Sequence, residues 1–235
     1  SDGCSSSPYS EIGARILTLT SKHLLENTKP WPLSYHDFGN LLINNALQIA
    51  KQMHLPPSVL DATVMLAFVS KEHIVIYVYG DGCLLVKNHT GYLGTIEITF
   101  THNAPYYLTY WQDKERQQEY AQYDTNPLIL IDSINGYSEP KPFQTELIFR
   151  FPLNKFPIVA IASDGATQCV NTRQSTKLSL HEVADNLLNF NNFTDRFVKT
   201  HLQQLLAEYA KQGIYPADDL SIGAFVQPKL VMVNQ

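Results

Sequence analysis

Residues 158–165 read Ile-Val-Ala-Ile-Ala-Ser-Asp-Gly (IVAIASDG), an apolar run that ends in an acidic turn. A short apolar run bounded by turn residues reads as a buried strand. The glycine after Asp164 lets the backbone bend sharply and leaves a carboxylate at the sheet edge. Working outward, the same arrangement recurs at residues 74–82 (IVIYVYGDG), where Ile74–Tyr79 leads into Gly80-Asp81-Gly82. Ser1-Asp2-Gly3 opens the chain, and Ala217-Asp218-Asp219 precedes the run 220–226 (LSIGAFV). A lone Asp-Gly is ordinarily only a turn, and Asp-Asp before a strand is ordinarily solvated. Several such strand ends brought together would instead make a cluster of like charge, costly unless a cation sits in it. That is the physical case for a hard-metal site built from oxygen ligands.

The remaining pattern places helices at both ends of a strand-rich middle. Ser5-Ser6-Ser7-Pro8 reads as a helix start, followed by Ile12, Ile16, Leu19 and Leu24. A second helix is expected near Ser34, with Phe38, Leu42, Ala46, Ile49 and Met53 as its apolar stripe and Pro56-Pro57 at its end. Strands are expected over 63–69, 74–79, 83–87, 95–101, 106–111, 128–131 and 145–151. Residues 112–126 are a loop or a short exposed helix. Helices follow over 180–190 and 193–212, with Gly213 as the stop, and a last strand over 220–226. Consecutive strands in hairpins favour antiparallel sheets, covered by the flanking helices.

Composition narrows the function. With 235 residues, 44% hydrophobic and 17% charged, the chain can build a sizeable core. The net charge of -5 gives no electrostatic footprint for nucleic acid, and no apolar run approaches the ~20 residues that span a bilayer. Cys4, Cys83 and Cys169 show no CxxC spacing, which argues against a disulfide framework and a thiolate zinc site and favours a reducing, cytoplasmic setting. The eight histidines form no HxH or HExxH cluster, so zinc-hydrolase chemistry has little support.

Taken in order, SDG before a helix, VIYVYGDG, IVAIASDG and DDLSIGAFV resemble the metal-dependent serine/threonine protein phosphatases of type 2C. In that family an Asp-Gly precedes small residues and a helix, a Gly-Asp follows a strand, an apolar strand ends in Ser-Asp-Gly, and an Asp-Asn or Asp-Asp precedes the last strand. The resemblance runs from Ser1 to Val226. It implies an α+β fold, a four-layer α-β-β-α sandwich of two antiparallel sheets flanked by helix pairs, as one domain over 1–235. It also implies two divalent cations, manganese or magnesium. Asp2 would bridge them, the Gly3 carbonyl would bind one, and Asp164 and Asp218 the other. Asp81 matches the position of a third, weaker metal. Asp219 stands where asparagine is common and is not assigned.

The implied reaction is hydrolysis of phosphoserine or phosphothreonine in proteins by a metal-bound hydroxide, with the three aspartates catalytic through the metals. The partner is then a phosphoprotein substrate, with neither nucleic acid nor membrane involved. Residues 103–143 correspond to the family's variable flap beside the active site. Two departures stand out. The family carries further strands, an acidic ligand and a phosphate-binding arginine upstream of the first Asp-Gly. An omitted upstream segment is therefore expected, and Arg15, Arg116, Arg150, Arg173 and Arg196 match none of those positions. Cys4 stands where some members have histidine, and it reads as a packing residue rather than a nucleophile. The alternatives are a catalytically silent binding module of the same fold and a small-molecule phosphoesterase. The aromatic run 106–111 reads more simply as a strand covered on both faces than as a ligand platform.

Overall fold

Every residue from Ile74 to Tyr79 is buried, and strand alternation deals them to two cores. Val75, Tyr77 and Tyr79 point one way; Ile74, Ile76 and Val78 point the other. This strand is therefore the inner wall of a layered structure. The computed structural model describes residues 1–29, 31–123, 128–133 and 140–227.

The chain opens with β1 (Asp2–Gly3), α1 (Ser10–Asn27) and α2 (Tyr35–Gln52). Four strands follow: β2 (Ala62–Ser70), β3 (His73–Tyr79), β4 (Gly82–Lys87) and β5 (Leu93–Phe100). A short helix α3 (Lys114–Tyr123) leads to β6 (Leu128–Ser133), β7 (Lys141–Pro142), β8 (Leu147–Pro152) and β9 (Ile158–Ala162). Then come β10 (Cys169–Asn171), β11 (Thr176–Lys177), α4 (Leu180–Leu187), α5 (Phe197–Gln212), β12 (Ile214–Pro216) and β13 (Ile222–Val226).

Two antiparallel sheets form the centre, ordered β1-β2-β3-β8 and β13-β9-β4-β5-β6-β7. Leu17, Phe38 and Leu42 of the first helix pair cover the outer face of the first sheet. Between the sheets lie Ile74, Ile76 and Val78 against Leu84, Val86, Ile98 and Val159. Cys83, Leu85, Ala160 and Ala162 face outward from the second sheet onto Val183, Leu187 and Tyr209 of the last helices. The result is the expected α-β-β-α layering. Both faces of each sheet are covered, which is why its strands read as continuous apolar runs. A fully buried Leu or Ile contributes roughly 1.5–3 kcal/mol here.

Local signals act where the sequence puts them. Ser34 caps α2 by accepting from the Asp37 N–H at 3.1 Å, and Gly213 closes α5 with a left-handed φ of 79°.

Two expectations need correction, and a third feature is an addition. First, α1 begins at Ser10 rather than at Ser5–Pro8. The Ser7 hydroxyl donates to Asp61 instead of capping a helix, and the Cys4 N–H is tied to the Asp61 carbonyl. Second, residues 106–111 are not a strand: Leu108–Gln112 is a 3-10 turn, with Tyr110 N–H donating to the Tyr107 carbonyl. Each ring has its own destination, which a flat strand could not serve. Tyr106 enters the inter-sheet core, Trp111 packs on Tyr35 and Tyr79, and Tyr107 faces Cys4. Third, a small sheet β11-β10-β12 joins the chain after Asp164 to the end of α5, and the sequence reading did not anticipate it. Of residues 112–126, Lys114–Tyr123 are helical and 124–126 lie outside the described residues.

Candidate functional site

The register brings the acidic turns to one end of the sandwich. Ala162, the last residue of β9, pairs with Cys83 near the start of β4 and with Ile222 at the start of β13. The turns bearing Asp164, Asp81 and Asp218 therefore flank adjacent strand ends. In the first sheet Asp2 pairs with Thr63, and Tyr79, just before the Asp81 turn, pairs with Val64. Asp81 lies on the connection by which the chain leaves the first sheet and enters the second.

The glycines beside these carboxylates are fixed by close approach. Gly80 and Gly82 both have left-handed φ values, 107° and 137°, on either side of Asp81. A Cβ on Gly165 would stand 2.4 Å from the Asp219 carbonyl oxygen. Only glycine lets the Asp164 turn lie directly on the Asp218-Asp219 loop. Ser163 locks the two together: its hydroxyl donates to the Asp219 carbonyl at 2.7 Å and accepts from the Ser221 N–H at 3.0 Å. Gln168 spans both carboxylates, donating to Asp164 Oδ2 at 2.8 Å and Asp218 Oδ2 at 3.4 Å. The sequence reading missed Ser163 and Gln168 as supports. The serine before Asp-Gly was the available signal; Gln168 had none.

The electrostatics are those of burial and of repulsion among the carboxylates. Burial, then the charges of Asp164 and Asp218, push Asp2 up to about 6. A carboxyl–carboxylate hydrogen bond with Asp164 adds to that shift. Burial, then the Asp164 charge, pushes Asp81 up to about 7. Asp164 is raised as well, by burial and by Asp218. Asp2 Oδ2 is buried without a hydrogen-bond partner. Asp218 and Asp219 are exposed, and the Asp219 N–H donates to Asp218 Oδ1 at 2.8 Å. All four sequence-predicted carboxylates thus act on one another. Among the described residues, however, no three His, Cys, Asp or Glu side chains are disposed as a ready cage for an ion. The cluster stands as mutually repelling carboxylates, two of which share a hydrogen bond.

A second polar centre adjoins it, and the sequence reading missed it. Asp61 is 4% exposed. It accepts from both terminal nitrogens of Arg116, at 3.0 and 2.7 Å, from the Thr109 hydroxyl at 2.6 Å and from the Ser7 hydroxyl at 3.1 Å. The Arg116 guanidinium also lies 4.2 Å from the centre of the Tyr110 ring. This knot fastens the loop after Gly3, the turn 108–112 and α3 to the start of β2.

A family model described as protein phosphatase 2C matches residues 1–207, and the chain belongs to that family. No curated protein matches it. Among solved structures it is similar to a bacterial serine phosphatase, 14% identical with a TM-score of 0.54, over 95% of this chain and 83% of that chain. A point variant of a bacterial serine phosphatase gives 16% identity and a TM-score of 0.52 over the same shares. The catalytic domain of the serine threonine protein phosphatase PstP, solved in complex with two manganese ions, is 15% identical with a TM-score of 0.47, over 92% and 81%. At such identities the first two likenesses are of fold.

Proposed function

We propose that this type 2C family member removes phosphate from phosphoserine and phosphothreonine in proteins, as a single domain over 1–235 with 103–143 as its variable segment. The carrying observation is the convergence of Asp2, Asp81, Asp164 and Asp218, drawn from both sheets, with one buried Asp2 oxygen lacking a partner. The donor set is all oxygen, which suits manganese or magnesium. The fit is chemical: carboxylates raised by one another's charge are what a divalent cation relieves. Asp2, the Gly3 carbonyl, Asp164 and Asp218 would hold two such ions, and Asp81 a third, more weakly. When bound, they would supply an activated water and neutralise charge on the phosphoryl oxygens.

The chain's own residues do the positioning. Asp2, on the first sheet, reaches toward the Asp164–Asp218 pair on the second. Gln168 orients that pair, and Ser163 with Gly165 keeps their loops in contact. Cys4, directly after Gly3, contacts the Ser6 hydroxyl at 3.0 Å, and a hydroxyl is not a general base that would make it a nucleophile. Among the described residues no helix is long and apolar enough to cross a membrane. With three free thiols, a cytoplasmic setting is the one we favour.

Phosphate release from a phosphothreonine peptide, with manganese and with chelator, tests the proposal. Asp164→Asn and Asp218→Asn should each lower metal-dependent turnover about a hundredfold or more while the circular dichroism spectrum is unchanged. Full activity in both variants would sink the assignment. The silent-module reading is favoured by Cys4, which stands where some members have histidine. It predicts partner binding that survives chelation and no turnover at any metal concentration.

A further inference from the structure

Beside the acid cluster lies a cavity of about 400 Å³ lined by Cys4, Ser6, Tyr107, Tyr110, Arg116 and Tyr120, with Glu119 also on its wall. Its size is that of an ordinary ligand pocket. It adjoins the candidate site, because Cys4, on its lining, follows Asp2-Gly3 directly.

The chemistry of the lining narrows the occupant. All three tyrosine hydroxyls are already engaged: Tyr107 with Cys4, Tyr110 with Arg116, and Tyr120 with the Ala104 carbonyl at 2.6 Å. What remains for a ligand is the ring surface that lines the cavity, with part of Tyr110 already covered by Arg116. An arginine beside a phosphatase site invites the idea of a second phosphate. Here both terminal nitrogens of Arg116 are taken by Asp61, and the guanidinium is stacked on Tyr110. The ion pair is neutral, and Glu119 adds a carboxylate that repels anions. Ring faces without a free cation accept an apolar or aromatic side chain.

We propose that this cavity receives an aromatic or large aliphatic side chain adjacent to the phosphoresidue of the substrate protein. The proposal rests on the phosphatase reading for its substrate, though not for the existence of the pocket. Tyr110 and Tyr120 are then specificity-determining residues, held in place by the Asp61–Arg116 pair.

The test uses the full 235-residue chain with manganese and phosphothreonine peptides carrying Phe, Leu, Ala or Asp at the flanking positions. A small aryl phosphate serves as the control substrate, and a matched set of non-hydrolysable phosphonate peptides is titrated by calorimetry. The expected result is a preference of about tenfold or more for Phe or Leu over Asp at one flank, expressed in KM rather than kcat. Tyr110→Ala and Tyr120→Ala should each remove the preference and leave aryl phosphate turnover unchanged. Tyr120→Phe, which keeps the ring, should retain it. Turnover of every peptide at equal kcat/KM would overturn the pocket assignment while leaving the phosphatase reading intact. Absence of all turnover would bear on the phosphatase reading and not on the pocket, which the calorimetric arm would then decide. Tighter binding of Phe or Leu peptides upholds it; equal binding overturns it.

Discussion

Two acidic centres sit near the same end of this sandwich, and they are built in opposite ways. Asp61 is surrounded by donors from its own chain: a bidentate guanidinium and two hydroxyls. Asp2 has acidic neighbours, one oxygen with no partner and a pKa lifted to about 6 by burial and by Asp164 and Asp218. The first centre carries its countercharge internally and is a fastening. The second is marked by repulsion among its own carboxylates, the arrangement that our proposed function gives to a cation. Removing one charge should therefore have opposite consequences at the two places.

The largest effect is expected at the fastening. Arg116→Ala strands the Asp61 carboxylate in a buried setting and should cost about 3 kcal/mol in urea unfolding, with Asp61→Asn/Arg116→Gln costing less. In metal-free protein, Asp164→Asn should cost nothing or stabilise slightly, since it relieves repulsion. Comparable losses at both places would erase the distinction. A smaller effect is expected at Gln168. Gln168→Ala removes the amide that spans Asp164 and Asp218 and should weaken manganese binding about tenfold by calorimetric titration, with the melting temperature of metal-free protein little changed.

The smallest effect concerns pH. Asp2 and Asp81 rise from the ordinary 3.8 to about 6 and about 7. Between about 4 and 7 the folded, metal-free chain therefore holds more protons than the unfolded chain. Their contribution is fully present below that window and is lost as pH rises through it. Asp81→Asn should flatten this slope in thermal melts across pH 4–7, and a saturating divalent cation should flatten it in the parent protein. An unchanged slope in both would show that these carboxylates do not set it.

The layered fold was legible because β3, β4 and β9 are apolar on both faces and each helix pair carries its own stripe and caps. Ser34 and Gly213 could be read one residue at a time. The four aspartates were legible because each adjoins an apolar strand, so position along a strand implied position in space. The supports were not. Gln168 and Asp61 look like any polar loop residues, and their roles depend on contacts across 50 and 55 residues respectively. Residues 106–111 misled for a related reason. Their aromatic content favours a strand locally, yet separate ring pockets demand a turn. Ser5–Pro8 misled because a distant carboxylate claimed the hydroxyl a helix cap would have used.

Asp2 belongs to one sheet and Asp164 to the turn that follows β9 of the other, with Asp81 on the strand connection between them. Whatever cation joins these carboxylates would also be a rivet between the two halves of the sandwich. The mechanical strength of that end, its resistance to being pried open by force or by a protease, would then follow cation supply rather than core packing.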